Sequence, residues 1–207
     1  MIGFYNYTVV LTYISLFISA TGIFCAFDGK INEAIICLML SGFCDMFDGK
    51  IARSKKSRTT EEKRFGIQID SLCDLVCFGV LPAVIGYSVC RDSRLYNMVG
   101  CFYILAGLIR LAYYNVTEEE RQDSTDENRK YFKGLPITSS SLLIPLIYCL
   151  CKFAPIDLEL LYTVTTFFIA VAFIFPMRVR KPHAKGMIII SLVGVIEFFL
   201  LLWNYKK

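Results

Sequence analysis

Apolar runs of about 20 residues, each long enough to cross the roughly 30 Å of a bilayer's hydrocarbon as one helix, recur along the whole chain. They lie at about 7–27, 32–52, 68–90, 95–116, 136–152, 157–177 and 185–204. The fifth is short and contains Pro145, so the expected count is seven, within a range of six to eight. Of the 207 residues 56% are hydrophobic and the mean hydropathy is +0.54, above what soluble domains carry. No stretch between the runs is long enough for a separate soluble domain. The reading is therefore an all-α, polytopic membrane helical bundle, with residues 1–207 as one integral membrane domain. No internal repeat or low-complexity tract interrupts it. The first residues, MIGFYNYTVVLTY, carry no basic segment and no small-residue cleavage site, so no removable signal peptide is expected.

The loops orient the bundle. Lys50, Arg53, Lys55, Lys56, Arg58, Lys63 and Arg64 follow the second run, and Arg121, Arg129, Lys130 and Lys133 the fourth. With Arg178, Arg180, Lys181 and Lys185 after the sixth, fifteen of the 22 basic residues share one side. The opposite side has Lys30, Arg91, Arg94, Lys152, Lys206 and Lys207, and Arg110 lies within a run. Basic loops stay in the cytoplasm, which places the N-terminus there in a multi-pass protein of the cell membrane. A net charge of +4 suits an anionic lipid surface. The dispersal of the basic residues among short loops argues against a nucleic-acid partner. Nine cysteines are scattered without paired CxxC motifs, as small buried apolar residues of a reduced protein.

Two segments break the apolar pattern: DMFDGKIAR at 45–53 and GIQIDSLCD at 66–74. Asp45 and Asp48 are i, i+3, about 60° apart around a helix; Asp70 and Asp74 are i, i+4, about 40° apart. Each pair shares one helix face. Two neighbouring antiparallel helices would present four carboxylates to each other near the cytoplasmic boundary, between the second and third runs. Such a cluster cannot ionise fully without a cation. A site of oxygen donors without histidine suits Mg²⁺, Mn²⁺ or Ca²⁺. Gly49 and Ala52 lack bulk, which lets a ligand approach the backbone, and Arg53 adds a fork suited to phosphate. Together these features point to a phosphate-bearing substrate. The acidic and basic residues of 118–130, by contrast, read as a solvated loop.

The full pattern, D-x2-D-G-x2-A-R followed by G-x3-D-x3-D, resembles the signature of the CDP-alcohol phosphatidyltransferases, integral membrane enzymes of phospholipid synthesis. All eight defining residues are present: Asp45, Asp48, Gly49, Ala52, Arg53, Gly66, Asp70 and Asp74. The spacer between Arg53 and Gly66, twelve residues here, is longer than the family's usual one, and the excess falls in a loop where insertion is cheap. Three further segments, DSLCDLVCFGVLPA, RLAYYN and FKGLPITSS, are similar to segments of the family's serine-using members.

The resemblance implies that CDP-diacylglycerol is the phosphatidyl donor, L-serine the acceptor and CMP the leaving group, with Mn²⁺ or Mg²⁺ as cofactor. It implies Asp45, Asp48, Asp70 and Asp74 around the metal, with Asp74 also the general base. It implies that Gly49, Ala52, Arg53 and Gly66 contact the CDP moiety, and that the enzyme is a homodimer among membrane lipids. For serine, Arg110 is either a carboxylate clamp or half of an internal ion pair; Ser71, Lys133 and Thr138 are further candidates. His183 reads as structural or solvated, and Glu197 as a partner at a helix interface. Two alternatives stay open. The same chemistry could serve another acceptor, such as glycerol phosphate or inositol phosphate, although a phosphorylated acceptor would want several basic residues near the aspartates. A divalent-cation transporter would instead spread its carboxylates along a path across the bilayer.

Overall fold

The computed structural model describes residues 3–55, 59–91, 93–124, 131–153, 157–180 and 184–205. Seven helical rods account for nearly all of them. The first is α1, Tyr7–Phe27, and the second α2, Ile31–Ser54. The third is continuous but composite: α3, Thr60–Asp74, a π-helical turn, Leu75–Val80, and α4, Leu81–Val89. Then come α5, Arg94–Ser124, α6, Ser140–Phe153, led in by a 3₁₀ turn over Ile137–Ser139, α7, Leu158–Ile174, and α8, Ala184–Tyr205. Three stretches are long and apolar enough to cross a membrane by themselves: Tyr7–Phe27, Thr60–Val89 and Arg94–Glu120. Shorter apolar helices cover Ile137–Lys152, Leu158–Ile174 and Ile189–Leu202. The fold is an all-α polytopic membrane bundle. The third rod begins eight residues before the apolar run that signalled it, because Thr59 and Glu62 close a capping box on the polar first turn.

One feature departs from an all-α reading. β1, Tyr131–Lys133, pairs antiparallel with β2, Arg178–Arg180, tying the connection after α5 to the one after α7. Gly134 turns the chain out of this ribbon at φ +77°, and the Phe173 carbonyl would clash with any Cβ there.

Packing follows membrane rules. Phe17, Phe24, Met98, Phe168, Ile189 and Phe199 point outward, as lipid-facing side chains do, while hydroxyls turn inward. α1 and α2 form the tightest pair. Gly22 packs directly on Cys37, and Ser19 and Ser41 share a hydrogen bond of 2.7 Å. Small residues and hydroxyls are the usual means of joining helices where lipid removes the hydrophobic drive. The two helices turn through a Schellman motif: Lys30 N–H donates to Cys25 O at 2.9 Å and Gly29 N–H to Ala26 O at 3.0 Å.

The composite third rod has a local cause. Pro82 has no N–H to give to the carbonyl one turn back. That carbonyl, Phe78 O, accepts the Tyr103 hydroxyl at 2.8 Å and the Ser140 hydroxyl at 3.2 Å. Tyr162 donates to Pro82 O at 2.8 Å and Tyr96 to Ala83 O at 3.0 Å. Thus α5 and α6 are fastened to the turn that follows Asp74, and α5 and α7 to the start of α4. All nine cysteines are free thiols. Glu197 is buried in α8, and neither of its carboxylate oxygens finds a hydrogen bond among the described residues. His183 lies outside them.

Candidate active site

The aspartates come from the second half of α2 and the end of α3, both packed against α1, and their carboxylates meet between them. Asp45, Asp70 and Asp74 each bring a carboxylate oxygen to within 4.8 Å of the others. Across the helix pair, the Asp45 and Asp74 carboxyls lie in hydrogen-bonding contact, as do those of Asp48 and Asp70. Two carboxylates hold such a contact only by sharing a proton or a cation. The donor set is all hard oxygen, matching the preference of Mg²⁺ and Mn²⁺. Asp48 joins the three through Asp70. It is 8% exposed, and its Oδ2 accepts the Thr12 hydroxyl of α1 at 3.5 Å.

A π turn directly after Asp74 fits this place in the chain, since such turns concentrate at functional sites. It lets the rod leave the aspartate face and return to ordinary α geometry at Leu81.

Beside the carboxylates a cleft of about 130 Å³ opens between α1, α2 and α3. Asp48, Gly49, Gly66 and Asp70 line one part of it. Gly49 is exposed, and a Cβ placed there would meet nothing within 4 Å, so its backbone is open to a ligand. The backbone of Ala52 and Arg53 continues α2, but their side chains lie outside those described.

α5 closes the other flank. Arg110 acts electrostatically on Asp45, and its guanidinium lies over the Tyr114 ring at 5.5 Å. Ser71, next to Asp70, donates to Asn115 Oδ1 at 2.9 Å. Lys133 is exposed in β1 and donates to the Tyr113 hydroxyl at 2.9 Å. Thr138 sits in the 3₁₀ turn, where its carbonyl accepts Ser141 Oγ at 2.7 Å. Neither Lys133 nor Thr138 forms a hydrogen bond or ion pair with an aspartate among the described residues.

Sequence reasoning had singled out neither Thr12 nor Asn115. A threonine or asparagine in an apolar run more often bonds a neighbouring helix than a ligand, so type alone did not distinguish them. What could have found Asn115 is its place five residues after Arg110, at the end of the same run.

Comparison with known proteins bears on this geometry. Residues 5–177 match the family model for CDP-alcohol phosphatidyltransferases. The chain is 38% identical over 117 residues to the CDP-diacylglycerol–serine O-phosphatidyltransferase of Saccharomyces cerevisiae, covering 55% of this chain and 41% of that protein. It is 31% identical over 161 residues to the archaetidylserine synthase of Methanothermobacter thermautotrophicus, covering 77% and 62%. To the CDP-diacylglycerol–serine O-phosphatidyltransferase of Helicobacter pylori (strain 26695) it is 31% identical over 145 residues, covering 69% and 56%. The matches span about two-fifths to three-fifths of these relatives' lengths.

Proposed function

Because the chain belongs to the CDP-alcohol phosphatidyltransferase family, we propose that it transfers the phosphatidyl group of CDP-diacylglycerol to the hydroxyl of L-serine, releasing CMP and forming phosphatidylserine. The observation that carries this reading is the convergence of Asp45, Asp70 and Asp74 beside an open cleft that Gly49 and Gly66 help to line. The named relatives above supply serine as the acceptor.

In this reading Asp45, Asp48 and Asp70 hold a divalent ion, Mn²⁺ or Mg²⁺, together with Asp74. The ion would supply positive charge to the phosphoryl oxygens. Gly49, Ala52, Arg53 and Gly66 contact the CDP moiety. The serine hydroxyl oxygen bonds to the phosphorus that carries the lipid, and the bond from that phosphorus to the CMP oxygen breaks. Asp74 takes the hydroxyl proton, an assistance the alcohol needs because its own pKa is near 15. Arg110, which acts on Asp45, and Ser71, which donates to Asn115 across α3 and α5, are the serine contacts of this reading. Lys133 and Thr138 have less support for that role.

The reading extends to the assembly. Residues 1–207 form one domain, the N-terminus and active site face the cytoplasm, and two copies associate as a homodimer. The ribbon supports the orientation, because it joins two of the three basic connections at one end of the bundle.

The test is incorporation of labelled serine into lipid by the purified protein supplied with CDP-diacylglycerol. Labelled phosphatidylserine is expected, with glycerol phosphate and inositol phosphate giving no lipid product. Product from either phosphorylated acceptor, and none from serine, would reassign the substrate within the family.

A further inference from the structure

One side chain joins the ends of the three helices around the cleft. Glu62, in the first turn of α3, accepts the Asn6 side-chain amide, just before α1, at 3.2 Å and the Lys55 ammonium, at the end of α2, at 2.9 Å. Its other oxygen accepts the Thr59 N–H at 3.1 Å, which closes the capping box. We propose that Glu62 is a positioning residue for the transfer reaction: it braces α1, α2 and α3 at the spacing the cleft needs to keep CDP-diacylglycerol bound. This rests on the transferase reading for the identity of the substrate.

Each partner of Glu62 lies close in the chain to a residue that lines the cleft. Asn6 Oδ1 accepts the Thr8 N–H at 3.0 Å and also the Thr8 hydroxyl, so one amide side chain links Glu62 to a lining residue of α1. Lys55 follows Gly49 by six residues at the end of α2, and Glu62 precedes Gly66 by one turn of α3. The rings of Phe4 and Phe65 meet edge-on at 5.5 Å and hold the segment before α1 against α3 a second time. Lys55, Thr59 and Glu62 all belong to the twelve-residue spacer between Arg53 and Gly66, so this connection supplies the brace. A capping box needs only Thr59 and Glu62; the bonds to Asn6 and Lys55 tie in two further helices. Bonds to a charged acceptor are shorter and roughly twice as strong as neutral ones, which suits a carboxylate to fixing a spacing. Binding and positioning of a substrate are sensitive to displacements of this kind even when the altered residue touches no reacting atom. Asp45 and Asp74 lie ten and twelve residues along their helices from Lys55 and Glu62, so loss of the brace acts on binding before it acts on chemistry.

The experiment measures CDP affinity by calorimetry, KM and kcat for CDP-diacylglycerol at saturating serine, and Tm in detergent, on the wild type and on variants of the brace. Glu62→Ala should weaken CDP binding and raise KM about tenfold, with kcat falling by less. Asn6→Asp keeps the N-cap of α1, because aspartate caps as well as asparagine, but it removes the amide donor and sets a second carboxylate against Glu62. It should match Glu62→Ala in KM while Tm stays near the wild-type value. The double variant Asn6→Asp/Glu62→Gln places the donor on the opposite partner and should restore most of the affinity. Thr59→Ala breaks the capping box alone; it should lower Tm and leave CDP affinity at the wild-type level. Wild-type affinity and KM in Asn6→Asp would overturn the proposal. So would a loss of CDP affinity in Thr59→Ala as large as in Glu62→Ala, because Glu62 would then be a helix cap only. If the wild type does not turn over CDP-diacylglycerol with serine, the transferase reading fails, whereas CDP affinity across the variants still decides the brace.

Discussion

The four aspartates form one cluster, yet each touches different neighbours. Asp45, Asp70 and Asp74 converge on one point, and Asp48 reaches them through Asp70 while also accepting the Thr12 hydroxyl of α1. The four were legible in the sequence because carboxylates at helical spacing inside apolar runs have few bland explanations. The bond from Thr12 to Asp48 was not legible, since it depends on a hydroxyl contributed by another helix. If Asp74 is the base, Asp74→Asn keeps the shape and removes the basicity. It should lower kcat about 10²–10⁴-fold while metal and CDP-diacylglycerol binding change little. Asp48→Asn should instead weaken both. Loss of metal binding in Asp74→Asn as complete as in Asp48→Asn would make Asp74 a ligand only.

Among the elements, the composite third rod sets the register of the site. The apolar run predicted a helix there, but no break within it. The π turn itself was hidden, because its partners, Tyr103 and Ser140, lie 25 and 62 residues from Phe78 in the chain. The ribbon was hidden for a similar reason: two three-residue strands separated by two helices carry no local pattern. Removing the Tyr103 hydroxyl alone should cost about 1 kcal/mol, since the Ser140 hydroxyl, which also donates to Ile137 O at 2.8 Å, still reaches the Phe78 carbonyl. Removing both in Tyr103→Phe/Ser140→Ala leaves a buried carbonyl short of donors. The double variant should therefore lose more than the sum of the singles, about 3 kcal/mol by detergent-solubilised unfolding. Additive losses would show that the two donors act independently.

For the whole molecule, alternation of seven rods puts both basic connections joined by the ribbon at the end where α2 runs into α3. Loop charge alone had given the same grouping, because the positive-inside rule needs no knowledge of contacts. A single cysteine at Glu61 or Arg178, in a cysteine-depleted background, should be shielded from an impermeant thiol reagent in intact cells, and one at Arg91 should react. The reverse pattern would turn the site to the outer face. The central claim, that this carboxylate cluster drives metal-dependent transfer from CDP-diacylglycerol to serine, is tested most directly by following CMP. Release should begin on adding serine, stop after exhaustive chelation and return with Mn²⁺ or Mg²⁺. CMP release that needs no serine, or that persists undiminished after chelation, would contradict it.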